Sequence, residues 1–334
     1  ESEIEAVLAA RAFEPEIELK NARAFWERKL GRLKIKTGDG AFDRMMNGWL
    51  LYQVYASRLI SRAGWWQTGG AFGFRDQLQD VLALMETDPA RVRAQLLLCA
   101  AHQYESGDVQ HWWHPPYTGV RTRITDDRLF LPFVAAQYAK ATGDDGVFGE
   151  AAPYLKDVPL PQNRHDVYHE AEPSEKTGTL REHCLKAIYA SFQTGEHGLP
   201  LMGTGDWNDG MDTVGDKGRG ESVFLGWFTV AVIDAFLPYC EGEDKRALKR
   251  KAEELRVALD KHGWDGEWYR RAYFDNGEPL GSRQNTECRI DSISQSWSVL
   301  SGAANPDRAR KAMSSMSRYL LKEEERLLML LTPP

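Results

Sequence analysis

Residues 203–243 read GTGDWNDGMDTVGDKGRGESVFLGWFTVAVIDAFLPYCEGE. Three kinds of chain follow one another here. Residues 203–220 are rich in glycine and acid and predict a long loop. Residues 221–240 are largely apolar and predict a helix. Glu241-Gly-Glu243 reads as a short turn, and a charged amphipathic helix is expected over 243–262. Long loop, apolar helix, short turn and second helix make one unit of a repeating plan.

The plan recurs on both sides. Residues 16–36 predict a charged helix with a break at Gly31. In 42–62 the residues Met45, Trp49, Tyr52, Ala56 and Leu59 are spaced to share one helical face. A glycine-rich loop, 64–73, precedes a helix over 74–86. Asp88-Pro89 is an N-cap followed by proline at the first helical position, and that helix is expected to reach about Tyr104. A polar loop, 105–125, leads to a helix over 126–142 that ends at Gly143. After an irregular stretch, 156–177, helices are expected at 179–193, 291–302 and 306–322. Strands are nearly absent from this reading, with 269–274 the best candidate. The expected class is therefore all-α: a toroid of paired helices, one ring inside the other, with the long loops at one mouth. An α-solenoid is the competing architecture, but no fixed-period repeat is present. The turn at residues 37–40 is the strongest internal boundary.

The 334 residues are 42% hydrophobic and 27% charged, an ordinary globular composition, with a net charge of −7. No stripe of Lys or Arg marks a nucleic-acid or anionic-membrane surface. Cys99, Cys184, Cys240 and Cys288 stand far apart and read as reduced thiols in a cytoplasmic type of compartment. The longest apolar stretch, 224–239, is interrupted by Asp234 and Pro238, and the N-terminus has no signal pattern. Both ends read as cut from something longer. Trp65, Trp66, Trp112, Trp113, Trp207, Trp264 and Trp268 lie in polar surroundings, suited to a ligand with flat apolar faces. Trp49 and Trp227 lie in apolar patterns and read as core.

Asp206-Trp-Asn-Asp209, with Asp212, sets carboxylates, an indole and an amide between Gly203, Gly205 and Gly210. One acid can protonate a glycosidic oxygen, Trp207 can cover a pyranose face, and Asn208 can bond hydroxyls. The bland alternative is a solvated acidic turn with a chance tryptophan. In GFRDQLQD (73–80), Asp76 and Asp80 are four apart and share a helical face beside Arg75. They converge on a ligand, or else Arg75 pairs with one of them in a capped helix. His111 and His114 are metal ligands, sugar contacts or loop structure; the Pro-Pro that follows disfavours a helical metal pair. Asp126 is a natural N-cap. Glu287 and Gln295 face a ligand, or Glu287 pairs with Arg289. His183 reads as a core histidine, and Cys184 beside it cannot form a dyad with it on a helix.

GFRDQLQD (73–80), HWWHPP (111–116), RTRITDD (121–127), GEHGLPLMGTGDWNDGMD (195–212) and QSW (295–297) resemble glycoside hydrolase family 94, the inverting glycoside phosphorylases. Within that family they resemble the C-terminal phosphorylase-like region of cyclic β-1,2-glucan synthases. The resemblance implies an (α/α)6 barrel over 41–334, preceded by a helical linker over 1–40. It implies that Asp209 is the general acid and that Arg75, Asp76 and Trp207 hold the sugar, with Asp80, Asp127, Asn208, Glu287 and Gln295 as further substrate contacts. It implies β-glucan oligosaccharide and inorganic phosphate as substrates, no metal or cofactor, and a cytoplasmic domain of a larger, membrane-tethered protein with no membrane contact of its own. The family's phosphate-binding loop falls beyond Pro334. The barrel is therefore expected to lack its last helices, and the isolated chain to be inactive or poorly folded. A phosphorylase of another β-glucoside such as cellobiose, an inverting hydrolase, and a non-catalytic glucan scaffold are the alternatives.

Overall fold

The structure is a computed structural model describing residues 13–60, 70–161 and 163–334. Trp65, Trp66 and most of the glycine-rich loop expected over 64–73 lie outside the described residues. The chain forms two compact units, residues 1–70 with 80–92 and residues 71–79 with 93–334.

In the first unit, α1 (Pro15–Leu30) opens with proline at its first turn, carries Glu16 and Glu18 there, and closes with Arg28 and Lys29. That charge order matches the helix dipole. The Asp39 side chain caps α2 (Gly40–Arg44) by accepting from the backbone of Ala41 and Phe42. The chain then passes through a π-turn (Met45–Trp49), α3 (Leu50–Gln53) and a second π-turn (Val54–Ile60). Each wide turn shifts the helical phase. The face read from sequence is therefore only partly the buried one: Leu59 is buried as expected, but Trp49 is 53% exposed, and Leu51 and Tyr55 are buried instead.

The second unit is helix-rich, with α4 (Phe74–Leu82), α5 (Pro89–Ala100), α6 (Phe130–Thr142), α7 (Leu180–Ala190), α8 (Val223–Phe236), α9 (Gly242–Ala258), α10 (Ser292–Leu300) and α11 (Pro306–Leu320) named along the chain. Parts of α4 and α5 belong to the first unit. The helix expected over 221–240 is present as α8, which buries residues around its whole circumference and touches α6, α9 and α10. Phe130, Phe133, Phe224, Phe228 and Trp297 join three of these helices through aromatic edges. Helix starts follow the caps. Thr179 and Glu182 form a reciprocal capping box on α7, Asp291 caps α10, and Asn305 caps α11.

An all-α class is too narrow, because the loops form short strands in several sheets. One sheet runs β1 (Phe72–Gly73), β2 (Gln110–His114), β3 (Thr118–Thr122) and β5 (Asp166–Glu170), antiparallel throughout. β4 (Ala151–Leu155) pairs with β6 (Pro173–Thr179), and β7 (Glu221–Ser222), β8 (Ala272–Tyr273) and β9 (Pro279–Leu280) form a third sheet. β10 (Ile290–Asp291) pairs with β13 (Leu331–Thr332), and β11 (Leu321–Lys322) with β12 (Leu327–Leu328). The 105–125 loop is thus a hairpin turning at Pro115-Pro116-Tyr117, and 156–177 holds β5 and most of β6. Only residues 272–273 of the expected 269–274 strand are extended in a ladder.

Trp113 and Trp268, read as ligand-facing, are buried: Trp113 stacks on His102, and Trp268 donates to the carbonyls of Gly281 and Arg289. All four cysteines are buried free thiols of the second unit. Among the described residues no helix is long and apolar enough to cross a membrane.

Candidate active site

Three segments of the second unit build the site. The first is the start of α4. Phe74 and Leu78 point into the core and Gln77 caps back onto the Gly73 carbonyl. This rotation buries Arg75 and leaves Asp76 exposed. The second is the β2–β3 hairpin with the turn before α6, carrying His111, Asp126 and Asp127. The third is the 203–212 loop.

That loop is held from below. Gly203 has φ +64°, and a Cβ there would lie 2.0 Å from the Arg123 carbonyl oxygen, so only glycine fits the bridge to Ile124. The Thr125 backbone N–H donates to the Gly205 carbonyl. Asp206 is fully buried and receives both ends of the Arg271 guanidinium, one nitrogen at 2.6 Å, together with the Ser222 hydroxyl at 2.6 Å. Arg271 also reaches toward Asp291, Nε to Oδ2 being 3.4 Å. Burial disfavours charge on Asp206, but Arg271 outweighs it and holds the carboxyl below its ordinary range. The next residues turn outward. The Asn208 carbonyl oxygen Oδ1 accepts from the Gly210 N–H, Trp207 is 37% exposed, and the Asp209 side chain is 51% exposed.

Asp209 is gripped from two sides. Arg75 Nη2 donates to its Oδ1 at 3.1 Å, while Arg75 Nη1 donates to Asp126 at 3.0 Å and to the Asp206 carbonyl at 3.3 Å. His111 Nε2 lies 3.6 Å from Asp209 Oδ2, and its Nδ1 is 2.7 Å from Asp127 Oδ2. The other Asp127 oxygen is buried, 3.9 Å from Arg75, with no hydrogen-bond donor. Burial works against charge on His111, but Asp127 and then Asp209 prevail and raise its pKa to about 9. Asp126 goes the other way: burial, with Asp127 and Asp206 nearby, lifts it to about 7 despite Arg75.

Of the residues singled out from sequence, the structure brings Arg75, Asp127 and Asp209 together, with Trp207 and Asn208 on the same loop. Asp76 lies on the exposed side of α4, and Glu287 is exposed. Asp80 belongs to the first unit, where Arg58 Nε donates to it at 2.9 Å. Gln295 is buried and spent on backbone: it accepts from Tyr269 N–H and donates to the carbonyls of Tyr269 and Asp291. Arg75 reaches along the chain to Asp126 and Asp209. Asp126 occupies the N-cap position, yet its side chain makes no cap bond and serves Arg75 instead. His111 sits at an irregularity in the β2–β3 register with its ring on Asp127, whereas the ring of His114 packs edge-on against Trp112. His183 is a core histidine bonded to Gln103 and the Ala152 carbonyl. Arg271, Ser222 and Asp291 had no sequence signal pointing to Asp206.

A half-exposed acid two residues from an exposed indole, on a loop anchored by a buried ion pair, supplies the groups that general-acid chemistry on a glycosidic bond requires. The chain matches the glycosyl hydrolase 94 superfamily, catalytic domain, over residues 25–334, and it belongs to that family. It is 45% identical over 322 residues to the cyclic beta-(1,2)-glucan synthase NdvB of Rhizobium meliloti (strain 1021), covering 95% of this chain and 11% of that protein. It is 31% identical to the solabiose phosphorylase of Paenibacillus borealis over 86% of this chain and 35% of that one. The chain therefore spans a minor part of the length of these relatives. In fold it is similar to a rhamnosidase from Klebsiella oxytoca, with a TM-score of 0.52 and 16% identity over 76% of this chain and 42% of that one.

Proposed function

We propose that this chain is the catalytic domain of an inverting glycoside phosphorylase acting on β-1,2-linked glucan, with its helices arranged as an (α/α)6 barrel. The observation that carries the reading is Asp209: a half-exposed carboxylate on a rigidly anchored loop, beside Trp207 and in the grip of Arg75. Asp209 protonates the glycosidic oxygen while inorganic phosphate attacks the anomeric carbon from the opposite face, giving α-glucose 1-phosphate. Trp207 covers a sugar face, Asp76 and Asn208 position the ring, and Arg75 and Asp127 act through the groups they hold, Asp209 and His111. The other acids near Asp209 are unsuited to activating water, since Asp126 and Asp127 are buried and already hold Arg75 and His111. No cofactor enters this scheme. The β-1,2 linkage rests on the likeness to the glucan synthase, and phosphorolysis on the likeness to the phosphorylase. We also place the domain within a larger synthase-like protein on the cytoplasmic side.

The test is incubation of the larger protein proposed here, carrying this domain, with β-1,2-gluco-oligosaccharides, with and without phosphate. Phosphate-dependent release of glucose 1-phosphate, lowered at least ~100-fold by Asp209→Asn, is the expected result. Free glucose without phosphate would make the domain a hydrolase, and binding without turnover would make it a glucan-holding module.

A further inference from the structure

The sheet beside Asp209 carries a row of rings on one face. Between Gln110 and Trp112, β2 holds one residue more than β3, so His111 and Trp112 together stand opposite Val120. Such a bulge re-aims a side chain, and here it brings His111 to the side of the sheet that Trp112 occupies. Val120 pairs in turn with Tyr168 of β5, which extends the row across three strands. The ring contacts agree with this facing. Trp112 lies 5.8 Å from Tyr168 and 5.5 Å from His114, whereas Trp113 turns to the other face and stacks on His102 and Phe72. The row begins at the acid, with His111 Nε2 3.6 Å from Asp209 Oδ2, and ends in solvent, with Tyr168 58% exposed.

We propose that Trp112 and Tyr168 form a glucan subsite on the leaving side of the cleaved bond. The indole takes the first sugar beyond Asp209, and the phenol ring takes the second. This rests on the reading of Asp209 as the general acid that cleaves a glucan.

Side, spacing and composition carry the proposal. Arg75 and His111 approach different oxygens of Asp209, Oδ1 and Oδ2. In the proposed reaction Trp207 covers the sugar that receives phosphate, so the row on the His111 side is left for the chain that departs. Neighbouring strands stand about 4.8 Å apart, so the step from β2 across β3 to β5 is about 10 Å, room for about two sugar rings. A pyranose lays its C–H face on an aromatic ring and needs polar partners for the hydroxyls at its rim. Two residues along each strand, His114, Thr118 and Glu170 stand in register and supply such partners on the same face. Asp166 and Glu170, both exposed, flank Tyr168 along β5. Carboxylates at that position suit a ligand rich in hydroxyls better than the apolar centre of a protein interface.

The experiment uses the larger protein carrying this domain and β-1,2-gluco-oligosaccharides of increasing length. Calorimetry measures their binding in an Asp209→Asn background, where turnover does not interfere. Tyr168 is exposed on the edge strand of its sheet, so Tyr168→Ala removes the ring without opening the core. That variant should weaken the trisaccharide and longer chains about tenfold and leave the disaccharide unchanged. Tyr168→Phe, which keeps the ring, should bind every length as the native protein does. Trp112→Ala should weaken the disaccharide as well. With Asp209 intact and phosphate present, Tyr168→Ala should raise KM for the trisaccharide by the same factor and leave kcat unchanged. Trisaccharide affinity that survives Tyr168→Ala, or a loss that is equal on the disaccharide, overturns the proposal. The binding arm reads the subsite even in a domain that holds glucan without cleaving it. Phosphorolysis with unaltered Tyr168→Ala binding would defeat this proposal and leave the assignment of activity standing.

Discussion

Asp206 and Asp209 are one helical turn's distance apart in sequence, yet one is sealed and the other open. Their roles divide accordingly. Asp206 spends its charge on Arg271 and fixes the loop, which leaves Asp209 free to face outward. Removing one partner of a buried ion pair strands the other charge, at a cost of about 3–5 kcal/mol. Asp206→Asn should therefore lower stability by that order in denaturant melts, and a matching loss in Asp209→Asn would contradict the division, because Asp209 is half exposed. Gly203→Ala should also destabilise, by more than about 1 kcal/mol, since both its φ and its contact with the Arg123 carbonyl exclude a side chain. The acids and glycines of this loop were legible in the sequence because they sit together within ten residues. Arg271 was not, because it lies 65 residues from Asp206 and only the fold joins them.

At the scale of elements, the helices were legible and the strands were not. Helix signals are local and redundant: caps at Thr179, Asp291 and Asn305, prolines at first turns, and the apolar run of α8. Thr179→Ala should cost about 1 kcal/mol in a thermal or chemical melt, the usual value of a lost cap, and Thr179→Ser should restore most of it. The strands are short, carry polar and charged side chains, and take their order from partners far along the chain, as β5 does beside β3. The β2–β3 hairpin did leave a trace, in the aromatic run 112–113 and the β-branched residues of 118–125 around Pro-Pro. The π-turns of 45–60 left none, and burial there falls on Leu51 and Tyr55 rather than on Trp49.

For the molecule as a whole, the charge pattern of the site sets a pH dependence. His111 has a folded pKa raised from 6.5 to about 9, so its contribution to stability is full below 6.5 and is lost as pH rises through about 9. Thermal melts across that window should show a decline that is smaller in His111→Gln; an unchanged decline would assign it to other groups. The acid side is mixed, because Asp126 is raised and Asp206 is lowered, and their contributions run in opposite directions.

The four cysteines carry one more consequence. They are sealed on different elements: Cys99 on α5, Cys184 on α7, Cys240 after α8 and Cys288 before β10. Burial pushes the Cys240 thiol to about 11 and the Cys288 thiol to about 12, and raises Cys184 as well. Alkylating reagents attack the thiolate, so each sulfur is silent until its surroundings part. The chain thus carries built-in clocks of local opening. Peptide mass mapping of a timed alkylation should rank the regions by how often they breathe, and adding glucan should slow those that the sugar braces.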